Sequence, residues 1–479
     1  MWVVPRVAVS LILFCGVLGS SLAAEDRLAL RAGAFAQEIT PEKLPISSNG
    51  GMADRKATRV HDPLHARCLV IANDQTQIAI VVCDSCMIPR EIIDGARALA
   101  TQRTGIPADN ILISATHSHS CPTVGGVFQS DPDEDYVAFL TAKIADGITM
   151  AHSRLQPAQV GWGTADEPGQ LFNRRWKLKP DLLGENPFGD KVDRARMNPG
   201  YSSPDVTEPT GPVDPQVAVL AVQTREGKPL ALLANYSLHY VGGVGGEDLS
   251  ADYFGEFAPR VGRSLGLKSD APFLGILSNG TSGDVNNINF ALKTGPMRQP
   301  YEQIGLVAEA VAAAAKQAWD SAKFESSAPL KVASRELELG VRRPSESDVA
   351  RAEELLKAAA GRPLRSLPEY YARETVLLAK YPPTVHARIQ ALRIGDLGIV
   401  SSPCETFTET GLAVKRETPL KATFTIELAN GYNGYLPTPE QHELGGYETW
   451  RARSSYLATD AEPKIRATQL ELLRKVAAD

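Results

Sequence analysis

Four short segments of this 479-residue chain place residues that bind metals or move protons at the ends of apolar runs. The first is the apolar run 111–115, which ends in Thr116-His117-Ser118-His119. Strand ends in α/β sheets are where ligands bind. In an extended His-x-His both imidazoles point to one side, which suits one metal or a metal plus a proton carrier. The chain has only 8 histidines, so two at one strand end is a concentrated signal; the bland alternative is two satisfied surface histidines. The second segment runs through Ala234-Asn235-Tyr236 to His239 and then Gly242-Gly243 and Gly245-Gly246, glycines that let backbone approach a ligand closely. Taken alone, His239 is equally well a packed core histidine. The third is the run 273–277 with the polar, glycine-bearing loop 278–287 behind it. The fourth ends in Pro403-Cys404-Glu405, a carboxylate that either favours the start of the next helix or binds a metal. Polar strand ends beside apolar strands are expected to form the rim of one cleft.

The elements that must hold these segments alternate. Strands are expected at 66–72, 76–82, 111–115, 217–223, 230–237 and 273–277, and helices at 90–103, 136–151, from 252, and at 304–322. This alternation, with adjacent strand pairs, predicts an α/β fold with a mixed β-sheet flanked by helices, and a metal site at the strand ends. Residues 178–215 are rich in Pro, Gly, Asn and Asp with little periodicity, the pattern of a functional loop or lid. From 330 a strand, two charged helices (345–360 and 367–380) and two further strands read as a subdomain completing the same sheet. The expected organisation is one large catalytic domain, 24–479, with 330–479 as its completing part.

Composition excludes several classes. With 43% hydrophobic and 22% charged residues the chain is neither disordered nor fibrous, and 50 basic against 56 acidic residues without a basic block give no nucleic-acid surface. Arg6, the apolar run 7–18 and Ser21-Leu22-Ala23 form a secretory signal, 1–23, predicting a secreted or periplasmic protein with no transmembrane span in its mature chain. Cys68, Cys83, Cys86, Cys121 and Cys404 remain, an odd and irregular set that makes no disulfide scaffold. Cys83-Asp84-Ser85-Cys86 lacks a second CxxC, so its cysteines read as buried apolar groups.

Strung together, the segments resemble the neutral, non-lysosomal ceramidases, zinc amidases that cleave the N-acyl bond of ceramide. The resemblance runs from Ala32-Gly33 and Ile39-Thr40-Pro41 through Asp62-Pro63-Leu64-His65-Ala66-Arg67 to the histidine motif at Thr116–Ser120. It continues through Phe172-Asn173-Arg174, Glu405, and Tyr435 with Thr438-Pro439-Glu440 and Tyr447-Glu448. It implies that His117, His239, Glu405 and Tyr435 bind one Zn2+, and that His119, Arg174 and Tyr447 serve the chemistry around it. The implied activity is hydrolysis of a small-molecule or lipid N-acyl substrate by zinc-activated water. Arg174 or Tyr447 would stabilise the oxyanion and His119 would move the proton. Asp84 and Asp252 are candidates to hold imidazole N–H groups, or are ordinary capping carboxylates.

Two departures qualify the resemblance. Where the family carries a serine, this chain has Asn286, which can donate to an oxyanion but cannot form an acyl-enzyme. Only 32 residues follow Tyr447, too few for the C-terminal immunoglobulin-like domain of full-size ceramidases. A smaller or more polar amide is therefore as well supported as ceramide. An esterase or deacetylase on the same scaffold, and a non-catalytic zinc-holding protein, stay open.

Overall fold

The computed structural model describes residues 1–3 and 28–478; the expected signal segment, apart from its first three residues, lies outside the described residues. No helix among the described residues is long and apolar enough to cross a membrane.

The main sheet has eight strands: β1 (Arg31–Glu38), β2 (His65–Ala72), β3 (Gln77–Cys83), β4 (Ile111–Ala115), β5 (Gln156–Asp166), β6 (Gln216–Thr224), β7 (Pro229–Tyr236) and β8 (Leu274–Asn279). Their order is β8-β7-β6-β5-β1-β2-β3-β4. The inner pairs are antiparallel, whereas the outer pairs β3–β4 and β7–β8 are parallel, so the sheet is mixed as expected. The chain builds it from two like halves. Each half is an antiparallel three-strand meander, a helix, a parallel edge strand and a second helix. The helices are α1 (Arg90–Thr104) and α2 (Glu134–Ser153) in the first half, and α3 (Asp252–Ser264) and α4 (Glu302–Ser321) in the second.

Strands such as β2 and β3 are apolar nearly throughout because both their faces are covered. On one face Val70, Val81 and Ile113 meet α1 and α2, and Val219, Leu232 and Ala234 meet α3 and α4. The Ala-rich α4 lies so close to β5 that a Cβ at Gly163 would stand 2.0 Å from the Ala318 carbonyl oxygen. Only glycine fits there.

The region beyond 330 corrects the expectation that it completes the same sheet. After β9 (Leu330–Gly340) come α5 (Glu346–Ala358) and α6 (Leu367–Leu378), then β10 (Thr384–Ile394), β11 (Leu397–Ser401), α7 (Thr408–Glu417), β12 (Ala422–Ile426) and α8 (Ala461–Ala477). Strands β9-β10-β11-β12 form a separate four-stranded sheet in that order. Its inner face, with Leu330, Leu392, Ile399 and Phe424, packs on Leu69, Ile80, Leu220 and Leu233 of the first. Its outer face packs on Ile465, Leu472 and Leu473 of α8. The layers are therefore helix, sheet, sheet, helix.

Both edge strands of the large sheet meet one short segment of the second half of the chain. Residues 427–430, just after β12, bond to each of them: Glu427 N–H donates to the carbonyl of Asn279, the last residue of β8, Ala115 N–H of β4 to that of Leu428, and Asn430 N–H to that of Ile113. The sheet thus curls until its first and last strands meet the same short segment. Strand ends from both halves are brought to one place.

The stretch 178–215 carries more order than its composition suggests. It holds part of a three-stranded sheet (Arg175–Leu178, Ala195–Met197, Val206–Pro209) and a small hairpin, Gly184–Glu185 with Lys191–Asp193. Short strands with one or two outward residues each leave little periodicity to read.

Candidate metal centre

His117 lies two residues beyond β4, and its backbone is held by the turn after β3: Thr116 N–H donates to the Cys83 carbonyl and His117 N–H to that of Ser85. This is the structural use of the Cys83–Cys86 segment. All five described cysteines are free and buried. The backbone of His117 is not extended, as the motif suggested, but left-handed, with φ 68°. The two imidazoles still meet, edge to face, with centroids 4.7 Å apart. Behind them a Cβ on Gly50 (φ +118°) would fall 2.4 Å from that of His119, so glycine is required there.

His239 follows β7, from the other half of the sheet, and its Nε2 stands 3.0 Å from that of His117. Glu405 and Tyr435 are partners in a short parallel ladder, which sets their side chains side by side. Glu405 Oε2 is 3.2 Å from His117 Nε2 and 3.8 Å from His239 Nε2. All three side chains are buried.

The protons on these atoms can be assigned from their partners. His117 Nδ1 lies 2.7 Å from the Cys86 carbonyl, and His239 Nδ1 3.1 Å from that of Ser282. Each Nδ1 therefore carries the hydrogen and each Nε2 a lone pair. Glu405 Oε2 is buried without a hydrogen-bond donor, while Oε1 accepts from the Tyr432 hydroxyl at 2.8 Å. Three lone-pair-bearing atoms thus face one another, an arrangement that calls for a shared cation, either a metal ion or, in its absence, a proton. Two imidazoles and a carboxylate fit a divalent transition metal.

Protons compete for the same place. Burial opposes a charge on His117, but the Glu405 carboxylate and Cys86 carry it well above the usual imidazole range. Burial, with the nearby positive groups, pushes His119 and His239 well below it. Burial likewise works to raise Glu405, but facing His117 and the hydroxyls of Tyr435 and Tyr432 leaves it below the carboxylate range.

The residues expected around the metal divide. His119 stacks on Tyr240 at 3.7 Å and brings its Nε2 to 3.1 Å from that of His117. Arg174 donates from Nη2 to the Tyr435 hydroxyl (3.0 Å) and the Gly283 carbonyl (2.9 Å), and from Nε to Glu448 (3.0 Å). It aims positive charge at the phenol oxygen. Tyr447 packs edge-on against Tyr435, and burial, then Glu405, keeps its phenol protonated. Together with Asn198, these groups line a cavity of about 210 Å³ over the cluster.

Asn286 does not line that cavity. Its amide donates to Asn198 at 2.9 Å and accepts from Ile288 N–H, so it stands one residue behind the wall. The two aspartates do not hold imidazoles either. Asp84 accepts from Arg67 and His65 N–H, and Asp252 from the N–H groups of Val241, Gly242 and Tyr253. The carbonyls of Cys86 and Ser282 do that work instead. Backbone carbonyls leave no trace in residue types.

Sequence reasoning also missed Tyr432, Tyr240 and Glu448 as site members. Glu448 is fully buried between Arg174 and Arg175, 2.6 Å from the latter. Its one signal was adjacency to Tyr447, as that of Tyr240 was adjacency to His239.

No protein-family model matches the chain. Neutral ceramidase A of Dictyostelium discoideum is 23% identical over 250 residues, 47% of this chain and 31% of that protein. Neutral ceramidase B of the same organism is 26% identical over 195 residues, 38% of this chain and 24% of that protein. The matched regions thus span a third or less of these relatives. Among solved structures, the neutral ceramidase from Pseudomonas aeruginosa superposes over 94% of this chain and 74% of its own, with TM-score 0.69 and 18% identity. A ceramidase complexed with C2 gives TM-score 0.69 at 16% identity, with coverage of 94% and 75%. The chain has the fold of these neutral ceramidases, a mixed sheet flanked by helices, with His117, His239 and Glu405 gathered at its strand ends, and over part of its length it is similar to them in sequence.

Proposed function

We propose that this chain is an exported, zinc-dependent hydrolase of a linear N-acyl amide, with His117, His239, Glu405 and Tyr435 as ligands. The observation that carries the reading is the convergence of His117 Nε2, His239 Nε2 and Glu405 Oε2, all buried, on one point. The likeness to neutral ceramidases supports amide hydrolysis as the reaction. Bound zinc would supply a water with its pKa lowered to about 7 and a Lewis acid for the acyl oxygen.

The chain's own groups do the rest. The Cys86 and Ser282 carbonyls fix the imidazole tautomers. Arg174 holds Tyr435 in place and partly offsets the burial and the Glu405 charge that push its phenol up. Tyr447, kept protonated, donates to the oxygen on which charge develops. His119, kept neutral, accepts a proton at Nε2 and returns it to the departing nitrogen. The products are a carboxylate and an amine. Asn286 takes no direct part, since its amide is bound to Asn198.

The test is hydrolysis of matched N-acyl amides and O-acyl esters by the purified protein, before and after chelation and zinc restoration. Chelator-sensitive amide cleavage that returns with zinc, and falls in Tyr447→Phe and His119→Ala, is expected. Ester cleavage alone would establish the esterase alternative, and zinc uptake without any turnover the binding-protein one.

A further inference from the structure

The cavity has two chemically different sides. Arg174, Asn198, Tyr240 and Tyr447 make one, whereas Met52, Met87, Val127 and Phe128 make an apolar wall beside the metal cluster. Phe128 is buried, and its backbone is left-handed with φ 49°. Its carbonyl is fixed by Arg453 Nη2 at 3.1 Å. Its ring stands edge-on to Tyr371 at 5.6 Å, and Tyr371 in turn to Phe188 at 5.9 Å and Trp450 at 5.7 Å. Beyond these aromatics lies a second hollow of about 170 Å³, with Phe188, Leu355, Ala372 and Thr375 in its lining. The aromatic group is therefore a partition between two hollows, with Phe128 on the metal side and Phe188 on the other.

We propose that Phe128, backed by Tyr371, ends the apolar side of the cavity and restricts this enzyme to amides carrying a short hydrocarbon arm there. The proposal rests on the amidase reading above. Its size argument is direct. The cavity of about 210 Å³ falls below the roughly 300–1,000 Å³ that drug-sized ligands fill. A cavity of that size takes the amide and a short arm, on the order of four carbons, before hydrocarbon meets the Phe128 ring. A long acyl chain needs the partition removed. The wall consists of thioethers, a valine and a phenyl ring, which bind hydrocarbon without demanding hydrogen bonds.

Two ladders test this on the zinc-supplemented full chain. Alkyl hydroxamates from C2 to C12 probe the acyl arm and N-alkylacetamides of the same lengths the amine arm, with binding measured by calorimetry. On one ladder, wild-type affinity should rise to about four carbons and then fall by about tenfold or more toward C12, as hydrocarbon exceeds the space. Phe128→Ala, which inherits the same backbone angle, should remove that fall, and Phe128→Leu should shift it by one or two carbons. Thermal melts show that each variant is folded; should Phe128→Ala fail to fold, the Leu variant alone decides. C12 bound as tightly as C4 on both ladders, no binding at any length, or a limit unmoved by the variants would overturn the proposal. Turnover of N-acyl amides is scored separately: its absence defeats the amidase reading while the binding ladders still judge the partition.

Discussion

Replacing Glu448 with glutamine removes the one negative charge between two buried arginines. Glu448 is 0% exposed and accepts from Arg174 Nε at 3.0 Å and Arg175 Nη1 at 2.6 Å. Burial alone would depress Arg174, but Tyr435 and Glu448 hold its charge firmly in place. Breaking a buried ion pair from one side costs about 3–5 kcal/mol. Both arginines keep other acceptors, Arg174 the Gly283 carbonyl and Arg175 those of Gln441 and Gly445, and glutamine preserves size. The lower end, about 3 kcal/mol, is therefore expected, a large share of the roughly 5–15 kcal/mol that stabilises a typical protein. Urea unfolding followed by tryptophan fluorescence would read it as a lower midpoint with unchanged slope. Because Arg174 also steadies Tyr435, turnover should fall more than stability alone explains when both are compared under fully folded conditions. A midpoint shift worth less than about 1 kcal/mol would refute the claim that the pair is a buried, mutually dependent unit.

Three further outcomes follow from the geometry. Gly50→Ala would force a Cβ to 2.4 Å from that of His119 at φ +118°, so a loss of about 1–3 kcal/mol in stability, with weakened zinc affinity, is expected by thermal melt and metal titration. Glu427 is buried against Ser282 and Thr406, and its carboxyl is pushed up to about 8, chiefly by burial. In metal-free protein the folded state therefore holds a proton that the unfolded chain releases above its ordinary value. The contribution of Glu427 to stability is fullest below about pH 4.5 and falls by about 1.4 kcal/mol per unit until about pH 8, so Glu427→Gln should remove that part of the pH dependence, measured by unfolding from pH 5 to 9. Asn286→Ser should cost less than about 2 kcal/mol and should not raise turnover, because residue 286 faces Asn198 and not the cavity; a gain in rate would contradict that placement.

The elements were legible where periodicity and burial agree. The runs around 66–72, 111–115 and 230–237 became β2, β4 and β7, and the Ala-rich helix became α4. The convergence of His117, His239 and Glu405 was legible in part, since each follows an apolar strand. The separation into two sheets was not, because strand patterns say which faces are buried and not which edges pair. Only the curl that brings β4 and β8 to residues 427–430 decides it. The supports of the imidazoles escaped for a different reason. Asp84 and Asp252 were open between holding imidazoles and ordinary capping; backbone carbonyls hold the imidazoles, Asp84 pairs with Arg67, and Asp252 accepts backbone N–H groups. The lobe 178–215 hid its strands in a composition typical of loops, yet it supplies Met197 and Asn198 to the cavity.

Metal content tests the central claim most directly. The full chain, purified without chelator and with zinc offered in slight excess, would be measured by elemental mass spectrometry beside His239→Ala and Glu405→Gln, with circular dichroism to show that all three are folded. The expected result is about one zinc per wild-type chain, removed by chelation and missing from both variants. A folded wild type that retains no zinc, or variants that hold as much as the wild type, would contradict the account.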